Sequence, residues 1–347
     1  MTESKPKPTR RAKGNSNGAP TIYDIAELAG VNPSTVSRAL TTPGRINAKT
    51  EAKVRAAAAE LNYKVNPFAR ALPTGRTRLI AFMISDITNP VFFKAIRGAE
   101  TAAAQAGYTM VVAESQESPE EEAKVLERIQ PMVDGIVLAT TRLTDAQIQA
   151  ANREKPVVLL NRVVPGVPDV VPNNEPGIVE TVKHLADLGH KHLGFLSGPA
   201  NSWINADRWN HLMKAALAAG MTIVELGNNE PTMDAGSAAI DKVLASGVTA
   251  VIAYNDLMAI GLLKAARERK LDVPGVLSVV GFDNIFGSDF TNPPLSTIQL
   301  PLESAGTDAV HAVLTLLDSE DRDPSAVKPS AIKTSLLIRG STGHIAR

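Results

Sequence analysis

The sequence predicts an α/β protein in which a small N-terminal helix-turn-helix unit precedes two doubly wound parallel-sheet subdomains. Three observations support this fold class. The chain has 347 residues, enough for two or three domains. Short helical patterns fill residues 21–65, and continuous apolar runs alternate with helical segments from residue 78 onward. Continuous rather than alternating apolar residues are typical of parallel strands that are covered on both faces.

The first unit is predicted from its helix start and stop signals. Thr21 is placed to cap a first helix, with Asp24 at the third helical position as a shortened capping-box residue. Gly30 ends this helix, and Pro33 stands at the first position of a second helix, where the backbone N–H has no helical partner. Asn47 is placed to cap a third helix. Three short helices with a tight glycine turn after the first form a helix-turn-helix unit.

The remainder of the chain is predicted to be built from βαβ units. Eight apolar runs, each with a helix, are more than a single sheet of ordinary size contains. The runs are therefore divided into two subdomains, with the break near residues 172–174. The expected strands are LIAFMIS (79–85), YTMVVAE (108–114), DGIVLAT (134–140), PVVLL (156–160), HLGFLS (192–197), TIVEL (222–226), AVIAYN (250–255) and LSVVGF (277–282).

The formal net charge of zero conceals an uneven distribution. Residues 1–76 hold 13 Lys and Arg against 5 Asp and Glu, whereas residues 77–347 hold 23 against 31. A basic segment attached to an acidic body indicates that one end meets a polyanion. A basic disordered tail at residues 1–20 explains only part of this charge, because eight cationic residues lie between Arg38 and Arg76.

Several function classes are excluded by what the sequence lacks. It contains no cysteine, which excludes disulfides and thiolate zinc sites and suits a reducing cytoplasm. The first twenty residues hold no apolar run, so no secretory signal is expected, and no apolar stretch is long enough for a membrane helix. His190 and His192 lack a third partner and are expected to be structural or surface residues, so neither a metal nor a cofactor is predicted. No P-loop, GxGxxG, GxSxG or HExxH motif occurs, and no enzyme is predicted.

Two long segments resemble a known family. TIYDIAELAGVNPSTVSRAL (21–40) and NAKTEAKVRAAAAELNYKVNPFARAL (47–72) resemble the headpiece and hinge of the lactose-repressor (LacI/GalR) transcription regulators. The stretches beginning at Thr74, Leu188, Ala253, Ser278 and Asn292 are similar to the family's regulatory core. The resemblance covers residues 21–341. It implies a core of periplasmic-binding-protein type and a repressor that binds a near-palindromic DNA operator as a homodimer.

The resemblance also implies a domain plan. A headpiece is expected at residues 21–65, a hinge helix and linker at 66–77, and an effector-binding and dimerisation core at 78–347. Within the core, the N-subdomain is expected at about 78–172 and 299–324, and the C-subdomain at about 173–298 and 325–347. TSLLIRGSTGHIAR, the C-terminal segment, contains no leucine heptads, so a dimer is expected rather than a tetramer.

The family's DNA contacts can be carried over to individual residues. Base readers match Pro33, Ser34 and Arg38, although simple capping is an equal explanation for Pro33. Arg38 has the fork that bonds guanine O6 and N7. Leu72 matches the leucine that wedges into the minor groove, and Ala69 matches the small residue beside it. The positions that match phosphate contacts are Thr21, Tyr23, Thr35, Ser37, Asn47, Thr50 and Tyr63.

The effector is expected in the cleft between the subdomains, because ligands bind outside the carboxyl ends of strands in open α/β sheets. Arginine, amide and carboxylate groups there suit a polyhydroxylated ligand. Asp256 is expected to cap a helix, Phe92 or Phe93 to pack in the core, and Trp209 to pack. The residues that match the family's effector contacts, or could supply a face for a ring, are Phe92, Asn161, Trp203, Arg208, Asn255 and Asp283.

The sequence leaves some questions open. A sugar or sugar derivative is what the resemblance implies, but purine-binding relatives keep a nucleobase possible. Inducer and corepressor action are equally compatible with these residues, and so is activation at some promoters. The alternative function is a periplasmic-type solute-binding protein, which has no use for residues 21–72 and needs an export signal.

Overall fold

The computed structural model describes residues 20–41, 44–63, 75–319, 321–327 and 332–345. The chain divides into two compact units, Met1–Thr77 and Arg78–Arg347. The tail expected at residues 1–20 falls outside the described residues except for its last residue. The hinge positions Ala69 and Leu72 also fall outside them.

The first unit contains three helices, α1 (Ile22–Ala29), α2 (Pro33–Thr41) and α3 (Ala48–Glu60). They enclose a small apolar core to which every helix contributes, as the helix-turn-helix prediction requires. Each helix therefore has one buried face and one exposed face. The buried members are Ile25, Ala26, Val36, Ala39, Val54, Ala57 and Ala58.

The helix ends of this unit are fixed by the predicted residues. The backbone N–H and the Oγ1 hydroxyl of Thr21 both donate to Asp24 Oδ2, each at a distance of 2.7 Å. Gly30 has a φ of 66°, a left-handed conformation that ends α1 at little steric cost. Asn47 Oδ1 accepts from the backbone N–H of Lys49 over 2.9 Å. These caps set the start of α1 and α3 and the turn before α2.

The second unit begins with a five-stranded sheet. Its strands are β1 (Leu79–Ile84), β2 (Thr109–Glu114), β3 (Gly135–Ala139), β4 (Val157–Leu160) and β5 (Asp169–Val170). They are all parallel, in the order β2-β1-β3-β4-β5. The connecting helices are α4 (Val91–Gln105), α5 (Pro119–Ile129) and α6 (Asp145–Glu154), with α4 packed on one face of the sheet and α5 and α6 on the other.

The chain then builds a six-stranded sheet in the order β11-β10-β9-β8-β6-β7. All neighbours are parallel except β10 and β11, which are antiparallel. Its strands are β6 (His192–Leu196), β7 (Thr222–Glu225), β8 (Ala250–Ala253), β9 (Ser278–Asp283), β10 (Ser296–Gln299) and β11 (Ser335–Leu337). The helices in this part are α7 (Glu175–Asp187), α8 (Trp203–Ala218), α9 (Met233–Ala238), α10 (Ile240–Ala245), α11 (Asp256–Glu268) and α12 (Leu302–Asp318).

All eight predicted strands are present, each with its ends within two residues of the prediction. Three further strands were missed: β5, β10 and β11. These are short, with two to four residues each, and β10 reads STIQ, which is too polar to stand out as an apolar run. In the ranges that the structure describes, no helix is long and apolar enough to cross a bilayer.

The long helix α12 returns to the first sheet and crosses α4 at a very short distance. A Cβ atom on Gly306 would lie 1.9 Å from the backbone oxygen of Ala95. An equivalent crossing joins α9 and α11, where a Cβ on Gly261 would lie 1.9 Å from the backbone oxygen of Met233. Because the obstacle is backbone in both cases, these glycines allow a close approach that no other residue permits.

Gly306→Ala is therefore expected to destabilise the protein, although alanine is the better helix former. Forcing α12 away from α4 is expected to lower the free energy of unfolding by about 1–3 kcal/mol, as measured by urea denaturation. Ser304→Ala, at an exposed position of the same helix, is the control and should change it by less than about 0.5 kcal/mol. A Gly306→Ala protein as stable as the unmodified one would show that the two helices do not meet here.

Candidate functional site

The exposed face of α2 carries the predicted base readers. Val36 and Ala39 are fully buried, so the opposite side of the helix faces solvent. Ser34 and Arg38 are both exposed, one helical turn apart, and Pro33 is half-buried at the start of the helix. Within the described residues, the Arg38 side chain makes no hydrogen bond or ion pair. The guanidinium is therefore free to meet an external acceptor.

The candidate phosphate contacts differ in their exposure. Tyr23 is 69% exposed on α1. Thr21 and Asn47 are exposed at the N-terminal ends of α1 and α3, where free backbone N–H groups favour an anion, and both already act as caps. The half-buried members of the set are Thr35, Ser37, Thr50 and Tyr63.

A cavity in the second unit gathers side chains from the carboxyl ends of strands in both sheets. Segments after β1, β6, β8 and β9 all contribute, as predicted from the strand order. Four segments that were not predicted, after β2, β3, β7 and β10, contribute as well. Its polar lining consists of Ser85, Asn89, Glu117, Thr140, Arg142, Asn161, Arg208, Asn255 and Asp283. We refer to this cavity as the inner cleft.

Arg208 and Asp283 form a buried ion pair in the inner cleft. Their side chains are 4% and 7% exposed, and Arg208 Nη2 donates to Asp283 Oδ1 over 2.9 Å. Arg208 Nη1 donates to the Tyr254 carbonyl, and its Cζ lies 3.6 Å from the centroid of the Phe282 ring. Burial raises the pKa of Asp283 to about 6, although the Arg208 charge opposes this shift.

The prediction that Asp256 caps α11 is wrong. Asn255, not Asp256, caps the helix: its Oδ1 accepts from the Met258 N–H over 2.9 Å. The Asn255 Nδ2 donates to the Pro231 carbonyl over 3.0 Å. The prediction failed because the turn starts one residue earlier than the apolar pattern indicated. Asn255 still lines the inner cleft, but both ends of its amide are engaged within the protein.

Asp256 is instead a buried anchor behind the inner cleft. Its Oδ2 accepts from the backbone N–H of Ile285 over 2.8 Å, and its Oδ1 accepts from Thr297 Oγ1 over 2.6 Å. Burial, reinforced by the nearby Asp283 charge, raises the pKa of Asp256 to about 8. These bonds attach two elements to the start of α11: the backbone just after Asp283, which ends β9, and the strand β10.

The raised pKa makes Asp256 a source of pH-dependent stability. The folded carboxyl holds its proton to about pH 8, whereas the unfolded one releases it near 3.8. Folding is therefore increasingly opposed as the pH rises between these values. Asp256→Asn keeps an acceptor for Ile285 and cannot ionise. Its stability relative to the unmodified protein should grow over this range by on the order of a few kcal/mol, as measured by urea denaturation at a series of pH values. A constant difference would mean that Asp256 does not titrate within this range.

The aromatic candidates divide between the cleft and the core. Phe92 is 4% exposed and lines the inner cleft, whereas Phe93 is 50% exposed. Trp203 was expected in an exposed loop, but it is the first residue of α8, packs against the main core and does not line the inner cleft. Ile204, the second residue of α8, lines the inner cleft instead. Trp209 stacks on Phe195, as the packing prediction stated.

The structure also identifies an ion pair that the sequence reasoning missed. Arg142 lines the inner cleft with a side chain that is 3% exposed, and its Nη2 donates to Glu117 Oε2 over 2.7 Å. Its Nη1 donates to the Thr140 carbonyl over 3.0 Å, and its backbone N–H donates to Glu122. The available signal was position: Arg142 lies two residues after a predicted strand, at the edge where a ligand is expected.

Several lining residues have an unusual backbone conformation. Glu117, Thr140, Asn161 and Asp283 have φ values of 58°, 58°, 63° and 105°. Non-glycine residues rarely adopt positive φ, and such residues concentrate at functional sites. Asn161 also has a buried Oδ1 that lacks a hydrogen-bond partner among the described residues. Both features favour the inner cleft as a ligand site.

The two histidines have structural positions. His190 is buried, with ring nitrogens 2.9 Å from Thr249 Oγ1 and 3.0 Å from Ser278 Oγ, and burial lowers its pKa. His192 is exposed and lies 2.7 Å from Thr222 Oγ1. In the described part of the chain, no group of three His, Asp or Glu side chains is arranged to hold a metal ion.

Two families match parts of the chain. Residues 21–66 match the bacterial regulatory proteins of the lacI family, and residues 182–342 match the periplasmic binding protein-like domain. The HTH-type transcriptional repressor CytR of Escherichia coli (strain K12) is 32% identical over 332 residues. That alignment covers 93% of this chain and 96% of CytR.

Solved structures agree with these matches. The lac repressor dimer bound to operator and the anti-inducer ONPF has a TM-score of 0.83 and 27% identity to this chain. The alignment covers 94% of this chain and 100% of that one. The transcriptional regulator CelR in complex with cellobiose has a TM-score of 0.66 and 26% identity, covering 93% of this chain and 99% of CelR.

Proposed function

The chain belongs to the lacI family of bacterial regulatory proteins, and from this premise we propose that it represses transcription by binding a near-palindromic operator as a homodimer. A small molecule in the inner cleft controls that binding. The observation that carries the proposal is Arg38, exposed on the outward face of α2 with no partner among the described residues. A second helix of such a unit enters the major groove, where an arginine fork distinguishes guanine from the other bases.

The remaining DNA contacts extend this interaction. Ser34 and Pro33 read adjacent bases, Pro33 through apolar contact alone. The exposed Tyr23, Thr21 and Asn47 bond phosphates and fix the orientation, together with Thr35, Ser37, Thr50 and Tyr63. Leu72 and Ala69, which lie outside the described residues, enter the minor groove. A solute-binding protein would have no use for this unit.

Two exposed aromatic side chains support the homodimer. Phe286 and Phe290 are 69% and 72% exposed, and their rings meet edge to face with centroids 5.2 Å apart. Exposed aromatic clusters are typical of the apolar centre of an interface. We assign them to the dimer contact, in keeping with the dimeric lac repressor among the similar structures. Two symmetric headpieces then match two operator half-sites.

The inner cleft is the proposed effector site, and a sugar or sugar derivative is the proposed class. Arg208, Asp283 and Asn161 supply donors and acceptors for hydroxyl groups, and Phe92 supplies an apolar face. Asn255 shapes the cleft through its cap. Trp203 contributes by packing rather than by contact, since it does not line the cavity. The cellobiose complex of CelR supports this class.

The proposed coupling runs through the arrangement of the two subdomains. The proposed bounds are about residues 78–172 and 299–324 for one subdomain, and about 173–298 and 325–347 for the other. Effector binding changes the closure of the cleft and thereby the spacing of the two hinge segments at residues 66–77 in the dimer. Because linkage is reciprocal, an effector that loosens DNA also binds more weakly to the DNA complex.

Regulation of this kind requires binding and no turnover, so we propose that the protein is not an enzyme. It acts where the chromosome lies, which in a bacterium is the cytoplasm. CytR, a repressor and not an enzyme by name, supports the first statement.

Fluorescence anisotropy tests the proposed function. Labelled DNA from upstream of the protein's own gene is compared with a scrambled sequence over a range of salt concentrations. A panel of sugars, sugar acids and purines is then added. Both DNAs should lose affinity steeply with salt, since phosphate neutralisation is independent of sequence. The proposal is supported if the protein prefers one DNA sequence and if one compound changes that preference. It is contradicted if selection from a library of random DNA sequences yields no sequence that the protein binds specifically.

A further inference from the structure

Resting on the proposed function, which places the effector in the inner cleft, we propose that the cleft selects an uncharged or amino-bearing effector and rejects anionic ones. Sugar acids and sugar phosphates belong to the rejected class. The reason is that the protein already balances each positive charge lining the cleft, and that a cavity adjoining the cleft carries an excess of carboxylates.

Both arginines of the inner cleft are neutralised by the protein itself. Arg208 Nη2 bonds Asp283 over 2.9 Å, and Arg142 Nη2 bonds Glu117 over 2.7 Å. The other terminal nitrogen of each guanidinium donates to a backbone carbonyl. An unpaired buried arginine would attract an anion, but the charge of each of these two arginines is already compensated by a carboxylate of the protein. A buried anion would be left uncompensated, or would have to displace one of the carboxylates.

The hydrogen-bonding groups that remain free favour a neutral ligand. The Nε atoms of Arg142 and Arg208 and the Oδ1 of Asn161 are buried and lack partners among the described residues. The residues that line the cleft therefore carry donors and an acceptor that the protein itself leaves without a partner. A hydroxyl group can accept from one and donate to the other, and an amino group can donate to Asn161. An ionised carboxylate only accepts, so it would leave the Asn161 oxygen unpaired in a buried place.

A second cavity adjoins the inner cleft, and its lining is acidic. It has a volume of about 530 Å³ and shares Glu117 and Pro231 with the inner cleft. Asp86, Glu114 and Glu230 also line it, and none of these forms an ion pair within the described residues. No Lys, Arg or His is among its described lining residues. A ligand that reaches the inner cleft past this cavity meets a negative potential, which repels anions.

The test compares matched compounds that differ in charge. Isothermal titration calorimetry on the full-length protein measures D-glucose, D-glucosamine, D-gluconate and glucose 6-phosphate, and then D-ribose with ribose 5-phosphate. In every set that binds, the neutral or amino member should bind at least about tenfold more tightly than the acid or phosphate. An acid or phosphate that binds as tightly or more tightly overturns the inference and leaves the proposed function intact.

A pair of variants tests the role of the acidic cavity. Glu114→Gln combined with Glu230→Gln should raise the affinity for the anionic member about two- to threefold at low salt, and little at high salt. Glu127→Gln, an exposed carboxylate on α5 that lines neither cavity, should leave it unchanged. Equal behaviour of the two proteins would remove the acidic cavity from the inference. If no probe of any charge binds or alters operator affinity, the proposed effector site itself fails.

Discussion

Arg208→Ala is expected to abolish the response to effector while operator binding by the unliganded protein stays nearly unchanged. The guanidinium is buried, bonds Asp283 and Tyr254, and lines the inner cleft. Losing hydrogen bonds from a charged group is expected to weaken effector binding by about 1.5–3 kcal/mol for each bond to the ligand, or roughly tenfold or more. Calorimetry of effector binding and anisotropy of operator binding measure the two effects separately.

The same substitution leaves Asp283 buried without its cation, which further raises the pKa of that carboxyl and lowers stability. Arg339→Ala is the matched control. Arg339 donates to Leu295, Asn284 and Ser288 in the same subdomain but does not line the inner cleft. This control should lose stability and retain effector affinity. A similar loss of effector affinity in both proteins would attribute the effect to general loosening rather than to the missing guanidinium.

Arg38→Ala is expected to remove specificity for the operator while weakening non-specific binding much less. Each bidentate arginine–guanine contact contributes about 1–3 kcal/mol, so specific affinity should fall roughly 5- to 150-fold. Lys49→Ala, at an exposed position at the start of α3, provides the comparison. It should weaken specific and scrambled DNA alike and lower the salt slope by about one. If Arg38→Ala also weakened both DNAs by the same factor, Arg38 would be a phosphate contact.

Much of the fold could be predicted because long apolar runs and helix caps are local signals. The capping residues Thr21 and Asn47 and the glycine at position 30 all act as the sequence indicated. The strands β5, β10 and β11 could not be found in this way, because short strands form only through pairing with neighbours that are distant in sequence. The two glycine crossings were also invisible, since they depend on where backbone from another helix lies.

The site was less predictable than the fold. Strand order brings the segments with Phe92, Arg208 and Asp283 to one edge, and the structure places all three in the inner cleft. Local geometry decided the rest. Which of Asn255 and Asp256 caps α11 depends on the position of a single turn, and the pairing of Arg142 with Glu117 depends on two loops meeting. Neither fact is contained in a local pattern of residues.

The most direct test of regulation by an effector is a closed thermodynamic cycle. Operator affinity is measured with and without saturating effector, and effector affinity is measured with and without operator. We expect both to change by the same factor, about 5- to 150-fold, because the coupling free energy belongs to the pair of ligands. Regulation by an effector would be contradicted if the protein bound both ligands and neither ligand changed the affinity for the other.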